Sequence, residues 1–481
     1  MAAQGVVAPE TCGVGGDLFA LVHLPGDSTP TALNASGRSG SGATASALRD
    51  SGHQVVPADH QLAVTVPGCV DGLVGLSDRF GSMPLRGCLE PAITLAVEGF
   101  EVSSEQARAF KIKSAVYAEN PAVSCFYPDG TPVEAGQIVT RGDLARTLEG
   151  IAEGGRDAFY LGTAGEDIVD ALSPYVRPED LEVEQHDWVD PLAVDIGDDT
   201  AWTIPPNSAG FLGPATLAVF LRLDPPSDPT DPLWWHLLIE AHRSLARERD
   251  RVVADPGTAP VQAEELVSPE RLDRAATRVS RTHAGAWPTP PATSTGTAYM
   301  CVTDRDGLSV SIINSNYYGT GSPFGATRSG FLLQDRGRGF SLVPGHANEL
   351  APNKRPAHTL SPTLWTNRDM TSWLLGTRGG EIQPQLVAQL AARAIVGGDD
   401  LDQAQAAPRW SMTEYGPGDS SSVSLEPGSG VERALTDLGH HVVTRDSLQP
   451  GWGPMSIIAR RGEEVQAASD PRVDTATAVV I

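Results

Sequence analysis

A proline-, alanine- and threonine-rich stretch from Pro256 to Gly296 divides this 481-residue chain into two parts of different character. It closes on Trp287-Pro288-Thr289-Pro290-Pro291-Ala292-Thr293-Ser294-Thr295-Gly296, whose prolines favour an extended polyproline linker. The next residues, Thr297 to Gly307, read as an apolar strand running into a tight Asp-Gly turn. Cleavage after Gly296 would make Thr297 a chain N-terminus that carries nucleophile and base in one residue. Its hydroxyl attacks a carbonyl and its freed α-amine takes the proton. An unperturbed α-amine has a pKa of about 7.7–8.0, close to where a general base is most useful. A β-branched threonine also packs well inside a sheet, so the spacing leaves both roles open.

Downstream of Thr297, strands are expected at Ala298–Asp304, Ser309–Ile313, Gly330–Leu333 and Trp373–Gly376. Helical stretches follow near 383–396 and 401–407. Upstream, Leu18–Leu24 reads as a buried strand and 87–100 as an apolar-periodic helix. Gly142–Ala152 reads as another helix, with Asp143 as its N-terminal cap. The stretch 233–253, around Trp234-Trp235, is expected to be the longest helix. Blocks of strands and helices without βαβ alternation fit an α+β class, a layered antiparallel sandwich covered by helices.

The charge balance narrows the partners. A formal net charge of −25 argues against nucleic acid and against anionic membrane surfaces. Hydrophobic residues at 40% and charged residues at 20% place the chain among globular proteins with a sizeable core. Five scattered cysteines without a CxxC pair favour reduced thiols and a cytoplasmic setting. No basic flank or apolar run of about 18 residues marks a signal peptide or a membrane span.

Rival chemistries leave little trace. The chain has no Gly-x-Ser-x-Gly elbow, no His-Glu-x-x-His and no phosphate-binding glycine-lysine loop. Its eleven histidines show no metal spacing, and His440-His441 are expected on a surface turn. Gly13-Val14-Gly15-Gly16 reads as a tight turn, and Cys301 as a core residue.

Several motifs occur in one order along nearly the whole chain. Upstream are Val66-Pro67-Gly68-Cys69-Val70-Asp71-Gly72-Leu73, Pro91–Ala96, Thr147–Ala152 with Phe159–Gly162, and Pro205–Gly210. Downstream are Thr297–Gly307, Gly319-Thr320-Gly321, Ser329–Leu333, Pro352–Pro356, Ser361-Pro362-Thr363, Gly379-Gly380 and Ala468–Arg472. This pattern resembles the γ-glutamyltransferase family of N-terminal-nucleophile hydrolases. The resemblance implies a four-layer αββα sandwich, with a large-subunit region at 1–296 and a small-subunit region at 297–481. The segment Val7–Asp17 looks like one that follows a helix and a strand in that family, so the N-terminal helix is expected to be missing.

The resemblance also implies roles. Gly296 and Thr297 would form the processing site, and Thr297 would be the nucleophile. Gly379 and Gly380 would form the oxyanion hole, where two glycines let main-chain N–H groups approach unobstructed; a plain strand-to-helix turn is the alternative. Ser315 matches the spacing of a hydroxyl that orients the nucleophile, and Asn316 is next to it. Arg38 falls where the family places the arginine that grips a substrate carboxylate with its bidentate fork; a solvated surface arginine is the other reading. His358-Thr359 replaces a substrate-binding serine pair. In Leu333-Gln334-Asp335-Arg336-Gly337-Arg338-Gly339, glycine stands where typical members carry the aspartate that binds the donor's α-ammonium. A γ-glutamyl ammonium would meet no carboxylate there, whereas Arg336 suits an acyl-side carboxylate. The segment between Phe340 and Pro352 is short, so the lid loop of some members is expected to be absent.

The expected protein is therefore a self-processing enzyme that cleaves a γ-glutamyl or similar small-molecule amide through an acyl-enzyme on Thr297. It would need no cofactor and no metal, and would work as a heterodimer of its own fragments or a dimer of heterodimers. Two alternatives stay open: a glutaryl- or oxamate-type acylase, and a non-catalytic, unprocessed binding protein.

Overall fold

The computed structural model describes residues 1–286, 296–415 and 421–480. Two antiparallel sheets form its centre, and each draws strands from both sides of Thr297. The first contains β1 (Asp17–His23), β2 (Thr31–Ala35), β3 (Asp187–Val189), β6 (Ala298–Thr303) and β7 (Ser309–Ser315), in the order β3-β2-β1-β7-β6. The second contains β4 (Leu192–Ile196), β5 (Asp199–Thr203), β8 (Thr363–Asn367), β9 (Met370–Thr377), β10 (Met455–Arg461) and β11 (Glu464–Ala468). Its order is β11-β10-β9-β8-β5-β4.

β1 is buried along its whole length because both of its faces are covered. Its side chains alternate with the period of two that a strand imposes. Phe19 and Leu21 point between the sheets and meet Trp202, Ile313, Leu360 and Leu374. Leu18 and Ala20 point outward with Leu33, Ala35 and Cys69. On that outer side lie helices α1 (Cys69–Phe80), α2 (Leu85–Glu98) and α3 (Gly142–Tyr160). The opposite face of the second sheet, through Trp365, Trp373 and Leu375, packs on α4 (Leu212–Arg222), α5 (Pro232–Ala246) and α6 (Gln383–Ala391). The result is helix, sheet, sheet, helix, the four-layer order expected from the resemblance.

Several local expectations need correction. A six-residue helix, Ala2–Val7, opens the chain where none was expected. α3 is capped at Arg141 rather than Asp143, which sits in its first turn and makes no capping bond. Trp234-Trp235 lie in α5, which ends at Ala246 rather than near 253; α3 is broken at Gly155, so the 15 residues of α5 form the longest unbroken helix among the described residues. Asp231 starts α5 by accepting the Leu233 N–H at 2.8 Å, and Pro232 supplies a preset first residue. The supposed linker is partly helical, over Ala263–Val267 and Pro269–Ala276; Trp287–Thr295 lies outside the described residues. His440 is buried rather than on a surface turn, with Nε2 2.8 Å from His236 Nδ1. Gly13–Gly16 does form a tight turn, with Gly16 N–H on Gly13 O at 3.1 Å. The five cysteines are free thiols. No helix among the described residues is long and apolar enough to cross a membrane.

The two sheets pack tightly near Thr297. A Cβ built on Gly376 of β9 would lie 2.1 Å from Tyr299 Cε2 on β6. Gly376→Val should therefore force the sheets apart and cost about 1–3 kcal/mol, the usual range for overpacking. Chemical denaturation reads this as a lowered midpoint, and an unchanged midpoint would mean the sheets adjust freely there.

Candidate active site

Thr297 precedes β6, and the β6–β7 pairing sets it beside the end of β7. Its Oγ1 donates to the Gly296 carbonyl oxygen at 2.6 Å and lies 3.3 Å from Ser315 Oγ. Ser315 Oγ donates to the same carbonyl at 3.0 Å and accepts the Tyr317 N–H at 2.9 Å. The hydroxyl of the sequence-predicted nucleophile thus rests on the peptide bond that precedes it, and Ser315 polarises that bond's oxygen. Asn316 turns away, its N–H on Thr11 O at 3.1 Å and its Nδ2 on Pro9 O at 3.2 Å.

Two cavities are lined by residues of these segments. One, of about 510 Å³, is lined by Thr297, Glu10, Thr11, Glu105 and Arg378, among others. The other, of about 330 Å³, is lined by Tyr317, Tyr318, Arg338, Gly339, His358 and Thr359, with Arg249, Asp250 and Glu381 at its side. Gly379 and Gly380 follow β9 with φ of 126° and 58°, a region where a side chain is strained. They stand between Arg378, on the first cavity, and Glu381, on the second. Thr297 and Arg378 thus line the first cavity, and Tyr317 and Glu381, further along the same segments, line the second.

The second cavity has a buried polar floor. Arg336 is wholly buried behind Tyr317, its guanidinium 3.8 Å from that ring's centroid. It donates Nη1 to Thr359 Oγ1 at 3.1 Å and has Nε 4.0 Å from Asp17 Oδ2. Nη2 has no hydrogen-bond partner among the described residues. Burial pushes the Asp17 carboxyl up to about 6, against the pull of Arg336 and the Gly37 N–H. Burial also holds His358 neutral, well below the usual imidazole range. Its Nδ1 accepts the Leu360 N–H at 3.2 Å, so Nε2 carries the proton and donates to Asp17 Oδ2 at 3.1 Å.

The predicted residues are not all brought together. Thr297, Ser315 and Gly296 form one contact group; Arg336, His358 and Thr359 form another, joined to the first through Tyr317. Arg38 belongs to neither and lines neither cavity. It bonds Asp187 Oδ2 at 2.8 Å and Glu184 O at 3.1 Å. The arginine that reaches inward beside it is Arg355, with Nη1 on Asn34 Oδ1 at 2.8 Å and Nη2 on Asp187 Oδ2 at 2.7 Å. Asp17 was missed because it stands in an apolar strand, and only its 0% exposure and its polar partners mark it. Among the described residues, no group of three or more His, Cys, Asp and Glu is placed to hold a metal ion.

Residues 1–480 match the family model described as gamma-glutamyltranspeptidase. The chain is 32% identical to the glutathione hydrolase-like YwrD proenzyme of Bacillus subtilis, over 99% of this chain and 91% of that protein. It is 31% identical to the oxamate amidohydrolase proenzyme of Klebsiella pneumoniae, over 99% and 92%. Among solved structures, the cephalosporin acylase from Bacillus halodurans superposes with a TM-score of 0.87 at 30% identity, covering 98% of this chain and 88% of that one.

Sequence reasoning also missed Glu10, which lines the cavity of Thr297. Its side chain is buried, Oε2 has no hydrogen-bond partner among the described residues, and burial pushes its pKa from 4.5 up to about 7. A buried acid with a raised pKa holds its proton more tightly folded than unfolded. Its contribution to stability is therefore complete below about pH 4.5 and is lost as pH rises toward 7, by roughly 3 kcal/mol at about 1.36 kcal/mol per unit. In uncut Thr297→Ala protein, Glu10→Gln should raise the melting temperature at pH 8 and leave it nearly unchanged at pH 4.5. Equal effects at both pH values would show that Glu10 is not a buried titrating carboxyl.

Proposed function

The chain belongs to the gamma-glutamyltranspeptidase family, and on that premise we propose that it cuts itself between Gly296 and Thr297 and then cleaves small amides through Thr297. The observation that carries this reading is the Thr297 hydroxyl lying 2.6 Å from the oxygen of the bond it would break. In the self-cleavage, Thr297 Oγ attacks the Gly296 carbonyl carbon, the C–N bond breaks, and the hydroxyl proton passes to the departing nitrogen. Water then hydrolyses the ester, leaving a Gly296 carboxylate and a free Thr297 α-amine. Fragments 1–296 and 297–481 would remain together as a heterodimer. In turnover the α-amine takes the Oγ proton while Oγ attacks the substrate amide. The oxyanion forms against the main-chain N–H groups of Gly379 and Gly380, and the leaving amine takes the proton. Water or an acceptor amine then releases the acyl group. Ser315 orients Thr297 in both steps. The free thiols support a reducing, cytoplasm-like compartment.

Within that reading, the second cavity favours an acyl group that carries a carboxylate and no α-ammonium, as in an acylase acting on glutaryl- or oxamate-type amides. Gly339 offers no carboxylate, and a Cβ there would lie 2.8 Å from Ala357 O, so the backbone leaves an aspartate little room. The carboxylates nearby already have guanidinium partners. Asp335 bonds Arg338 at 2.9 Å, and Asp250 and Glu381 lie 2.9 Å and 2.8 Å from Arg249. Arg338 faces the cavity, Arg336 supports its floor through Thr359, and His358 shapes that wall. Asn316 and Arg38 would act only indirectly, by holding the loops they bond.

Purified wild-type protein should run as two fragments on a denaturing gel, with the smaller beginning at Thr297, and Thr297→Ala should stay a single chain. A wild-type chain that stays whole after prolonged incubation would instead support a non-catalytic binding protein.

On the cut enzyme, glutaryl p-nitroanilide should show kcat/KM at least equal to that of γ-glutamyl p-nitroanilide. Burying an ammonium without a partner costs several kcal/mol, and about 1.4 kcal/mol corresponds to tenfold in specificity. A tenfold preference for the γ-glutamyl compound would mean that a carboxylate of this pocket turns to the amine.

A further inference from the structure

We propose that Glu10 is a positioning residue for the α-amine that cleavage creates on Thr297, its carboxylate facing the new ammonium across the cavity both residues line. The inference rests on the reading of Thr297 as a freed N-terminus. In the uncut chain Gly296 is packed on the Glu10–Thr11 backbone: a Cβ built on it would lie 3.3 Å from Glu10 O and 3.5 Å from Thr11 Cα. Cutting the Gly296–Thr297 bond thus frees the Thr297 nitrogen beside the cavity that Glu10 also lines. The segment is held in place because Asn316, the residue after Ser315, bonds Pro9 O and Thr11 O.

Glu10 in the uncut chain is a buried carboxyl that lacks a bonded cation. The cations near it are engaged elsewhere. Arg378 has Nη2 2.7 Å from Glu105 and gives its Nε–H to Gly453 O. Arg141 donates to Gly5 O, Val6 O and Gly330 O at 2.9–3.0 Å. Glu101 and Glu105 add negative charge on the same cavity. Cys12, Cys301 and Tyr299 stay neutral, since burial pushes both thiols up to about 12 and the phenol well above its usual range. Cleavage adds the Thr297 ammonium to the cavity that this carboxyl lines, along with the Gly296 carboxylate. An opposite charge within about 4–6 Å stabilises an ammonium by about 1–3 pK units, and the two groups then titrate as a pair. Glu10 therefore orients the amine and raises the pH at which it becomes a free base.

The test is the pH profile of kcat/KM on cut enzyme, with a chromogenic p-nitroanilide between pH 5 and 9. Glu10→Gln should move the acid limb to lower pH by about one unit, because the amine loses its anion. Glu101→Gln, which alters an exposed carboxylate of the same cavity, should leave the limb in place. If Glu10→Gln is not cut, Glu10→Asp is read in its place: the shorter stem withdraws the charge, so the limb moves the same way by less. An unmoved limb, or an equal shift in Glu101→Gln, overturns the inference. A wild-type chain never cut before Thr297 defeats the underlying reading, whereas a cut, active wild type with an unmoved limb in the variant defeats this one alone.

Discussion

The antiparallel pairing of Asp17–His23 with Ser309–Ser315 is the constraint on which the rest of the molecule depends. It joins a strand from each side of Thr297 in the middle of one sheet, with Asp17 opposite Ser315 and Asn314 opposite Leu18. Asn314 reinforces the join by donating Nδ2 to Asp17 O at 2.8 Å and accepting the Gly13 N–H at 2.8 Å. The same interleaving recurs in the second sheet, where Thr363–Asn367 pairs with Asp199–Thr203. Hydrogen bonds and the apolar layer between the sheets hold the two regions together, so a break at Gly296–Thr297 would cost no pairing of either sheet.

That pairing also dictates an expensive interior. Asp17 leaves the end of its strand inside the protein, and Arg336 and His358 meet it there with almost no exposure. Taking such charges out of water costs several kcal/mol per ion. The cost is limited by neutralising one member and spreading the charge of another. His358 stays uncharged and donates to Asp17, and Arg336 lies flat on Tyr317, where a guanidinium gains from the ring's face. Tyr317 in turn is held at a φ of 75°, unusual for a bulky residue, by its N–H on Ser315 Oγ. Strain at Tyr317 thus links the hydroxyl beside Thr297 to the floor of the second cavity.

The first cavity is arranged on the opposite principle. Its buried acid, Glu10, has no guanidinium of its own, although Arg378 and Arg141 are both near enough to influence it. In the uncut chain Thr297 is only 3% exposed, with Gly296 packed over the Glu10–Thr11 segment. The contacts that hold the peptide bond in place are the ones that would surround the amine after its loss. One set of residues can therefore serve both the proposed cut and the proposed turnover.

The signals that singled out Thr297, Ser315 and the two glycines as candidates are local or ordered: a linker running into a strand, a fixed spacing, a strand running into Gly-Gly. β1 and the covering helices were legible for the same reason, since a continuous apolar run marks a buried strand and apolar periodicity marks a helix face. The helix caps and the length of α5 were less so, because Asp143 and Asp231 look alike until the backbone shows which one precedes a helix. Charge partners were hidden altogether. Arg38 and Arg355 are both arginines near glycine- or proline-rich turns, yet only Arg355 reaches the buried Asn34. Glu10 sits in an ordinary Pro-Glu-Thr turn and becomes a buried acid only because Asn316, far along the chain, pins that turn beside Thr297. Sequence alone determined the family and the layers, since these follow from periodicity and motif order. Only the tertiary structure decided which charges are buried and which cation each acid meets, because burial and Coulomb energy depend on distances that the folded chain sets.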